Sequence, residues 1–201
     1  MFNNCEDVKN VYFKNGYSAT IDSEPIGDFN SDVTVLISIY KAGVKITEYC
    51  CRKYNANKEI WPSNIEIGPV VEHLQLLIEP DHKLQNHARR IHNLELESYK
   101  NNYKQIQLTA VDEGAFVWPY LGFKFKNNAD KAQIRDLFLG YLYDIVLAGD
   151  TDKVIDTFKK CDTFTKMKPY CVMDGIESFT EYIKRNNSLV RYFLYKDIGG
   201  I

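Results

Sequence analysis

The sequence has no long hydrophobic run, and this absence sets the first limits on the chain. No apolar stretch approaches the roughly 18–20 residues that a membrane-spanning helix needs. The first ten residues carry acids and amides and lack the apolar segment of a secretory signal. We therefore expect no membrane association and a cytoplasmic location.

Paired cysteine motifs and a strong net charge are also missing. The five cysteines include no C-x-x-C spacing, which is typical of reduced thiols rather than of a disulfide framework. The net charge of −2 gives no general attraction to nucleic acid. Basic and aromatic residues alternate at 52–54 and 99–103, but no nucleic-acid-binding motif accompanies them. We interpret these segments as packed sheet and helix residues, and do not expect a nucleic-acid partner.

Hydrophobic periodicity predicts a mixed α/β fold from Val33 onward. Runs rich in β-branched and aromatic residues predict strands, and apolar residues at helical spacing predict helices. Strands are expected at 33–40, 45–54, 70–78, 105–111 and 122–125, and helices at 84–101 and 113–121. On the first of these helices, Arg89, Arg90 and Glu95 are expected away from the apolar stripe. This element order predicts a mixed, mainly antiparallel sheet flanked by helices.

The pattern changes after Asn128. Helices are expected at 132–147, 151–160, 176–185 and 189–195, with Asp150 as an N-cap. The first thirty residues predict no clear element. We therefore expect an α/β domain over 1–128 and a C-terminal helical extension over 129–201 packed on it.

A polar turn follows the third strand and leads into the first long helix. Its sequence is Lys83-Leu-Gln-Asn86-His-Ala88, shortly after Pro80. It resembles the Q/R-x-x-G-x-G/A turn of the GNAT superfamily of N-acetyltransferases, in which backbone N–H groups and a helix N-terminus hold the pyrophosphate of acyl-coenzyme A. Asn86 replaces the expected glycine. Asn tolerates left-handed backbone geometry better than most residues, but it adds a side chain.

A second match lies one helix and one strand further on. Trp118-Pro-Tyr-Leu-Gly-Phe123 resembles a Trp-Pro-x-Leu-Gly-Phe variant of a divergent GNAT-like group that is partly associated with phage and mobile elements. The two motifs and the chain between them cover about a quarter of the sequence. The resemblance implies a GNAT-like fold and acetyl-CoA, or another acyl-CoA, as the cofactor.

The resemblance also implies which residues would bind this cofactor. Main-chain groups of Leu76, Leu77 and Ile78 would pair with the pantetheine arm. The turn and the helix start, up to Arg90, would hold the pyrophosphate through Lys83, Gln85, Asn86, His87, Ala88 and Arg89.

Enzymes of this family position an amine for attack on the thioester and supply a base and an acid. Glu72 is the candidate base by position, with Glu79 and the acids at 112–113 as alternatives. Trp118 occupies the place of the usual acid, a tyrosine, and would line the acceptor cleft. Tyr120, two positions further on, should point elsewhere than the usual acid. It is the second candidate catalytic residue after Glu72, and it would line the acceptor cleft together with Trp118.

All four histidines lie between residues 73 and 92. Imidazole is a common metal ligand, but the last three are five residues apart, about 140° around a helix. We therefore expect no metal site.

Two functions follow as hypotheses. The first is an N-acyltransferase that acetylates an amine acceptor of unknown identity. The alternative is a catalytically inactive GNAT-shaped binding or assembly module of phage or bacterial-conflict origin, which Asn86 and Trp118 favour. The C-terminal helices would then supply a homodimer contact or a surface for a protein partner.

Overall fold

A computed structural model describes residues 1–63, 65–111, 114–187 and 191–198. The chain forms two compact units: Met1–Leu108 together with Tyr195–Ile201, and Thr109–Leu194. The first is built on a sheet and the second is mostly helical. These units divide the chain at other positions than residue 128, and the domain boundary expected there stays a prediction.

The first unit contains most of the strands. Its elements are α1 (Cys5–Asn10), β1 (Tyr17–Ile21), β2 (Ile26–Gly27), β3 (Asp32–Lys41), β4 (Val44–Lys45), β5 (Thr47–Glu59), β6 (Ile67–Ile78), a 3₁₀ helix (Pro80–Gln85), α2 (His87–Tyr99) and most of β7 (Gln105–Ala110). The strands and the helix predicted for this region are confirmed, with shifts at their ends. Helix α1 and strands β1 and β2, within the first thirty residues, were not predicted.

Alternation along β3 explains how the sheet packs. Val33, Val35, Ile37 and Ile39 are all buried, as expected when every second side chain of a strand faces the core. Strand β3 pairs antiparallel with β5 through its first half and with β1 through its second half. A tight turn at 42–43, where both residues have positive φ, then returns the chain as β4 along the end of β3.

Strands β5 and β6 pair antiparallel, whereas β6 and β7 pair parallel. A parallel pair requires a crossover connection, and α2 supplies it. Within the first unit the strands follow the order β1-β3-β5-β6-β7, with the end of β9 (Tyr192–Asp197) beside β7. The mixed, mainly antiparallel sheet flanked by helices is therefore confirmed.

The second unit is mostly helical and also contains β8 and the first half of β9. Its elements are α3 (Gly114–Tyr120), β8 (Lys124–Phe125), α4 (Asn128–Tyr141), a π-helical turn (Leu142–Val146), α5 (Thr151–Lys160), α6 (Phe164–Cys171), α7 (Phe179–Asn187) and the first half of β9. Aromatic rings form its core: Phe179 contacts Phe116, Phe138 and Tyr141 at centroid distances of 5.3–5.4 Å.

The helix predicted at 189–195 is wrong, because the described residues from Tyr192 onward form β9; residues 188–190 lie outside the described part. The β-prone run Tyr192-Phe-Leu-Tyr195 pairs with β8, where the Lys126 N–H donates to the Phe193 carbonyl. Helix α6 was not predicted. In the described part of the extension, the last helix ends at Asn187.

Side-chain caps define the starts of three helices in the second unit. Asn127, Asp150 and Thr163 each accept a hydrogen bond from a backbone N–H in the first turn of α4, α5 and α6. The N-cap predicted at Asp150 is therefore confirmed.

Among the helices in the described ranges, none combines the length and apolar character required to cross a bilayer.

Candidate functional site

Strand β6 is paired on both edges only as far as His73. Its parallel pairing with β7 joins Val70–His73 to Gln105–Leu108. Its antiparallel pairing with β5 continues to Ile78. From Leu74 to Ile78, β6 therefore has β5 on one edge and no paired strand of the described chain on the other.

A β-bulge lies where the two pairings diverge. Arg52 pairs with His73 and Cys51 pairs with Gln75, so Leu74 is an extra residue on β6. A bulge interrupts the ladder and bends the strand. Leu74 at the bulge and Leu77 beyond it are 50% and 42% exposed. The predicted pantetheine-binding residues Leu76, Leu77 and Ile78 thus lie on a stretch with an open edge and apolar surface.

The chain then turns into the N-terminus of α2. The 3₁₀ helix ends at Gln85, and Asn86 takes the left-handed conformation with φ 58° and ψ 23°. No side chain caps α2. The first N–H groups of a helix have no intrahelical acceptor and carry the positive end of the helix dipole. Exposed Asn86, Ala88 and Arg89 surround this start, so the turn has the features of an anion site.

His87 is turned inward. Its ring is buried, with Nδ1 2.7 Å from the Tyr17 hydroxyl and Nε2 3.1 Å from the Gln85 carboxamide oxygen. The imidazole therefore links the start of α2 to β1. His87 can contribute to the anion site through its backbone and not through its ring. The side chain of Lys83 lies outside the described part.

Glu72 precedes the bulge on the opposite face of β6 from His73. Its carboxylate accepts a hydrogen bond from the Asn55 Nδ2 at 2.9 Å and pairs with the Lys58 ammonium at 2.5 Å. The side chain is half-buried. These contacts hold one carboxylate beside the open stretch. Of the alternative acids, Glu79 lies at the start of the 3₁₀ helix, and residues 112–113 lie outside the described part.

Trp118 and Tyr120 belong to α3 in the second unit. The indole of Trp118 packs edge-on against Phe123 at a centroid distance of 5.2 Å. The Tyr120 hydroxyl accepts a hydrogen bond from the Lys168 ammonium at 3.0 Å, and that ammonium lies 4.5 Å from the Tyr120 ring centroid. The roles assigned to these two residues from the sequence stay predictions.

A buried ion pair beneath β6 was missed by the sequence. Arg52 and Glu95 both have fully buried side chains, with the Arg52 Nε 2.8 Å from the Glu95 Oε1. The Tyr12 hydroxyl donates to the same oxygen at 2.8 Å. The prediction that Glu95 lies away from the apolar stripe on the polar face of α2 is therefore wrong, because α2 turns this carboxylate inward to a guanidinium from β5.

Two histidines border the pair. The His73 Nε2 lies 3.6 Å from the Glu95 Oε2, and one ligand atom each of His73, His92 and Glu95 lies within 4.8 Å of the others. Burial lowers the pKa of both imidazoles, that of His92 to about 3. Arg52 already balances the carboxylate, so a divalent ion here would add uncompensated buried positive charge. The buried charge of Arg52 therefore disfavours a metal at the cluster.

The basic and aromatic segments noted in the sequence are packing residues. Arg52, Tyr54, Tyr99 and Tyr103 are all buried, and the rings of Tyr54, Tyr99 and Tyr103 contact one another and Phe2. These four side chains are therefore not exposed to a nucleic acid.

Comparisons with known proteins give distant likeness in structure and none in sequence. No family model matches the chain, and no curated protein matches its sequence. Among solved structures, a nourseothricin acetyltransferase is similar over 97% of this chain and 95% of its own, at 9% sequence identity and a TM-score of 0.38. A likeness of this size carries no argument about activity, and function is inferred from the geometry of the chain itself.

Proposed function

We propose that the chain is an acyl-coenzyme-A-dependent N-acyltransferase that transfers an acetyl or similar acyl group to an amine. One observation carries the proposal. Strand β6 leaves β7 at the Leu74 bulge, keeps an open edge to Ile78, and leads through a 3₁₀ turn into the uncapped start of α2. A single continuous segment thus offers a strand edge followed by an anion site.

The open edge suits the pantetheine arm of the cofactor. That arm is extended and carries peptide-like amides, so it can bind as an added strand does, through main-chain hydrogen bonds. The exposed side chains of Leu74 and Leu77 would cover its apolar carbons. Leu76 and Ile78 would supply backbone groups.

The start of α2 suits the pyrophosphate. Its uncapped N–H groups donate to phosphate oxygens, and the helix dipole favours the negative charge. The left-handed Asn86 lets the chain enter the helix abruptly. The exposed guanidinium groups of Arg89 and Arg90 add positive charge beside the same turn.

The chemistry requires little from the protein beyond positioning. The amine nitrogen forms a bond to the thioester carbonyl carbon, the carbon–sulfur bond breaks, and coenzyme A leaves as a thiolate that takes a proton. Main-chain N–H groups beside the bulge would stabilise charge on the carbonyl oxygen. Glu72 is proposed as the base that accepts the amine proton, directly or through water. The catalytic role of Tyr120 and the place of Trp118 and Tyr120 in the acceptor cleft are proposed from the sequence resemblance alone.

Calorimetric titration with acetyl-CoA tests the proposal, using the wild type, Asn86→Trp and Asn86→Gly. We expect wild-type binding in the micromolar range and none for Asn86→Trp, because an indole at the exposed turn blocks the helix start. Asn86→Gly is the matched control. It keeps the positive φ without a side chain and is expected to bind at least as well as the wild type.

Absence of binding at millimolar acetyl-CoA in the wild type would overturn the proposal. It would leave the alternative, a GNAT-shaped binding module whose partner is sought by pull-down. Binding that survives Asn86→Trp unchanged would place the cofactor elsewhere. Thermal unfolding of each variant shows whether a lost signal reflects a lost fold.

A further inference from the structure

The guanidinium of Arg52 fills the gap that the bulge opens between β5 and β6. Its Nη1 donates to two carbonyls, that of Cys51 at 3.0 Å and that of Gln75 at 2.7 Å. These two residues are paired across the strands, immediately beside the extra residue Leu74. One side-chain nitrogen thus bridges two backbone acceptors at the place where the ladder is interrupted.

Glu95 holds the guanidinium in this position. Its Oε1 accepts from the Arg52 Nε and from the Tyr12 hydroxyl, so α2 and the segment after α1 both fix the carboxylate. The Arg52 Nη2, by contrast, has no hydrogen-bond partner in the described part of the chain. A buried ion pair with an unsatisfied donor is a poor source of stability, since apolar side chains of similar volume often replace such pairs at no loss.

The geometry points to a different role for the pair. In a planar trans peptide unit the C=O and the N–H point in opposite directions. The Gln75 carbonyl is turned toward Arg52 and the β5 partner Cys51, so the N–H of the same peptide unit, which belongs to Leu76, is directed away from β5. That direction is the open edge of β6.

We infer that Arg52 is a positioning residue that aims the Leu76 N–H at the carbonyl oxygen of the bound thioester. This inference rests on the proposed function and adds to it the donor and the side chain that orients it. The hydrogen bond from this N–H is strongest in the transition state, because the carbonyl oxygen then gains negative charge. Glu95 acts indirectly, because it holds the Arg52 guanidinium in place.

The test replaces the whole pair, Arg52→Met with Glu95→Leu, so that no buried charge is left without its partner. Acetyl-CoA carrying ¹³C at the thioester carbonyl is bound to each protein, and the carbonyl stretching band is recorded by infrared difference spectroscopy. In the wild type we expect the bound band at lower frequency than the free band. In the double variant we expect the band near its free position, with the dissociation constant changed less than about threefold, since most cofactor contacts remain.

A rate measurement accompanies the spectrum once an amine acceptor is found. Loss of one positioned donor to a developing oxyanion lowers kcat by about 10²-fold, and KM for acetyl-CoA should stay nearly constant. The matched control is Lys14→Met, which removes a surface ion pair with Glu97 and leaves Arg52, Glu72 and β6 unchanged. It should leave both the band and kcat unchanged.

The outcomes separate the two proposals. A wild-type band shift that persists in the double variant would overturn the role of Arg52 while leaving the acyltransferase proposal intact. A wild-type protein that binds no acetyl-CoA would overturn the proposed function, and this inference with it. Amide hydrogen exchange without ligand adds an independent check, because release of the bulge by the double variant should speed exchange at the paired residues Cys51 and Gln75.

Discussion

At the scale of single residues, two buried histidines make the first unit sensitive to acid. Burial lowers the pKa of His73 and His92, and for His92 it falls from 6.5 to about 3. The unfolded chain therefore binds protons on these rings before the folded chain does. The contribution of these histidines to the free energy of unfolding is therefore complete above pH 6.5. It decreases as the pH falls from there toward 3.

His92→Gln tests this linkage. For His92 alone, the free energy of unfolding should fall by about 2 kcal/mol between neutral pH and about pH 5. The variant lacks the titrating ring, so its stability should depend less steeply on pH over that interval, whatever its stability at neutral pH. Urea unfolding of both proteins at several pH values measures the two slopes, and equal slopes would contradict the prediction.

The residues of the candidate site differ in how far the sequence could predict them. Asn86 was placed at the turn because its segment resembles a known turn motif between a strand and a helix, and such a motif is local information. Glu95 was placed wrongly because its partner, Arg52, is 43 residues away, and periodicity counts only whether a residue is polar. Arg52 lies between buried Cys50 and Tyr54 on one face of β5, and this position was the available signal for the pair. The inward orientation of His87 also depends on a distant partner, Tyr17.

At the scale of elements, the start of α2 depends on one left-handed residue. Asn86 has φ 58° and leads into a helix with no side-chain cap. Alanine lacks the polar side chain with which asparagine can hydrogen-bond locally in the left-handed conformation. Asn86→Ala should therefore destabilise the protein by about 1 kcal/mol. Asn86→Gly should be neutral or slightly stabilising. Chemical denaturation of the three proteins gives the comparison, and an alanine variant as stable as the wild type would show that the turn rearranges.

Element type was predictable where the chain carries a strong local pattern. Strand β3 alternates buried aliphatic residues, and the crossover through α2 follows from a helix between two strands. The segment at 189–195 was predicted to be a helix, although the run at 192–195 is β-prone. Its pairing partners, β7 and β8, lie far away in sequence, and a window of a few residues does not contain them.

At the scale of the whole molecule, the sheet of the first unit includes residues from both ends of the chain. Residues 195–201 belong to this unit, where the Gln105 side chain donates to the Asp197 carboxylate at 2.9 Å and the Ile198 N–H donates to the Lys104 carbonyl at 3.0 Å. Tyr195 is buried there as well. The C-terminal segment therefore contributes to the fold of the first unit as well as to the extension.

This arrangement decides how the proposed dimer contact of the C-terminal helices should be tested. A chain that ends at Asn128 loses the helices, and it also loses the strand beside β7, exposing the unpaired edge of a sheet. We expect such a chain to be insoluble or to lack a cooperative thermal transition. A matched comparison is full-length protein with Asp197→Asn, which weakens one contact of β9 and should remain folded with a lower melting temperature. A truncated chain as soluble and cooperative as the full-length protein would contradict this role of β9. Oligomeric state is therefore best measured on the full-length protein by analytical ultracentrifugation, because association of the truncated chain would report an exposed sheet edge instead of a helical contact.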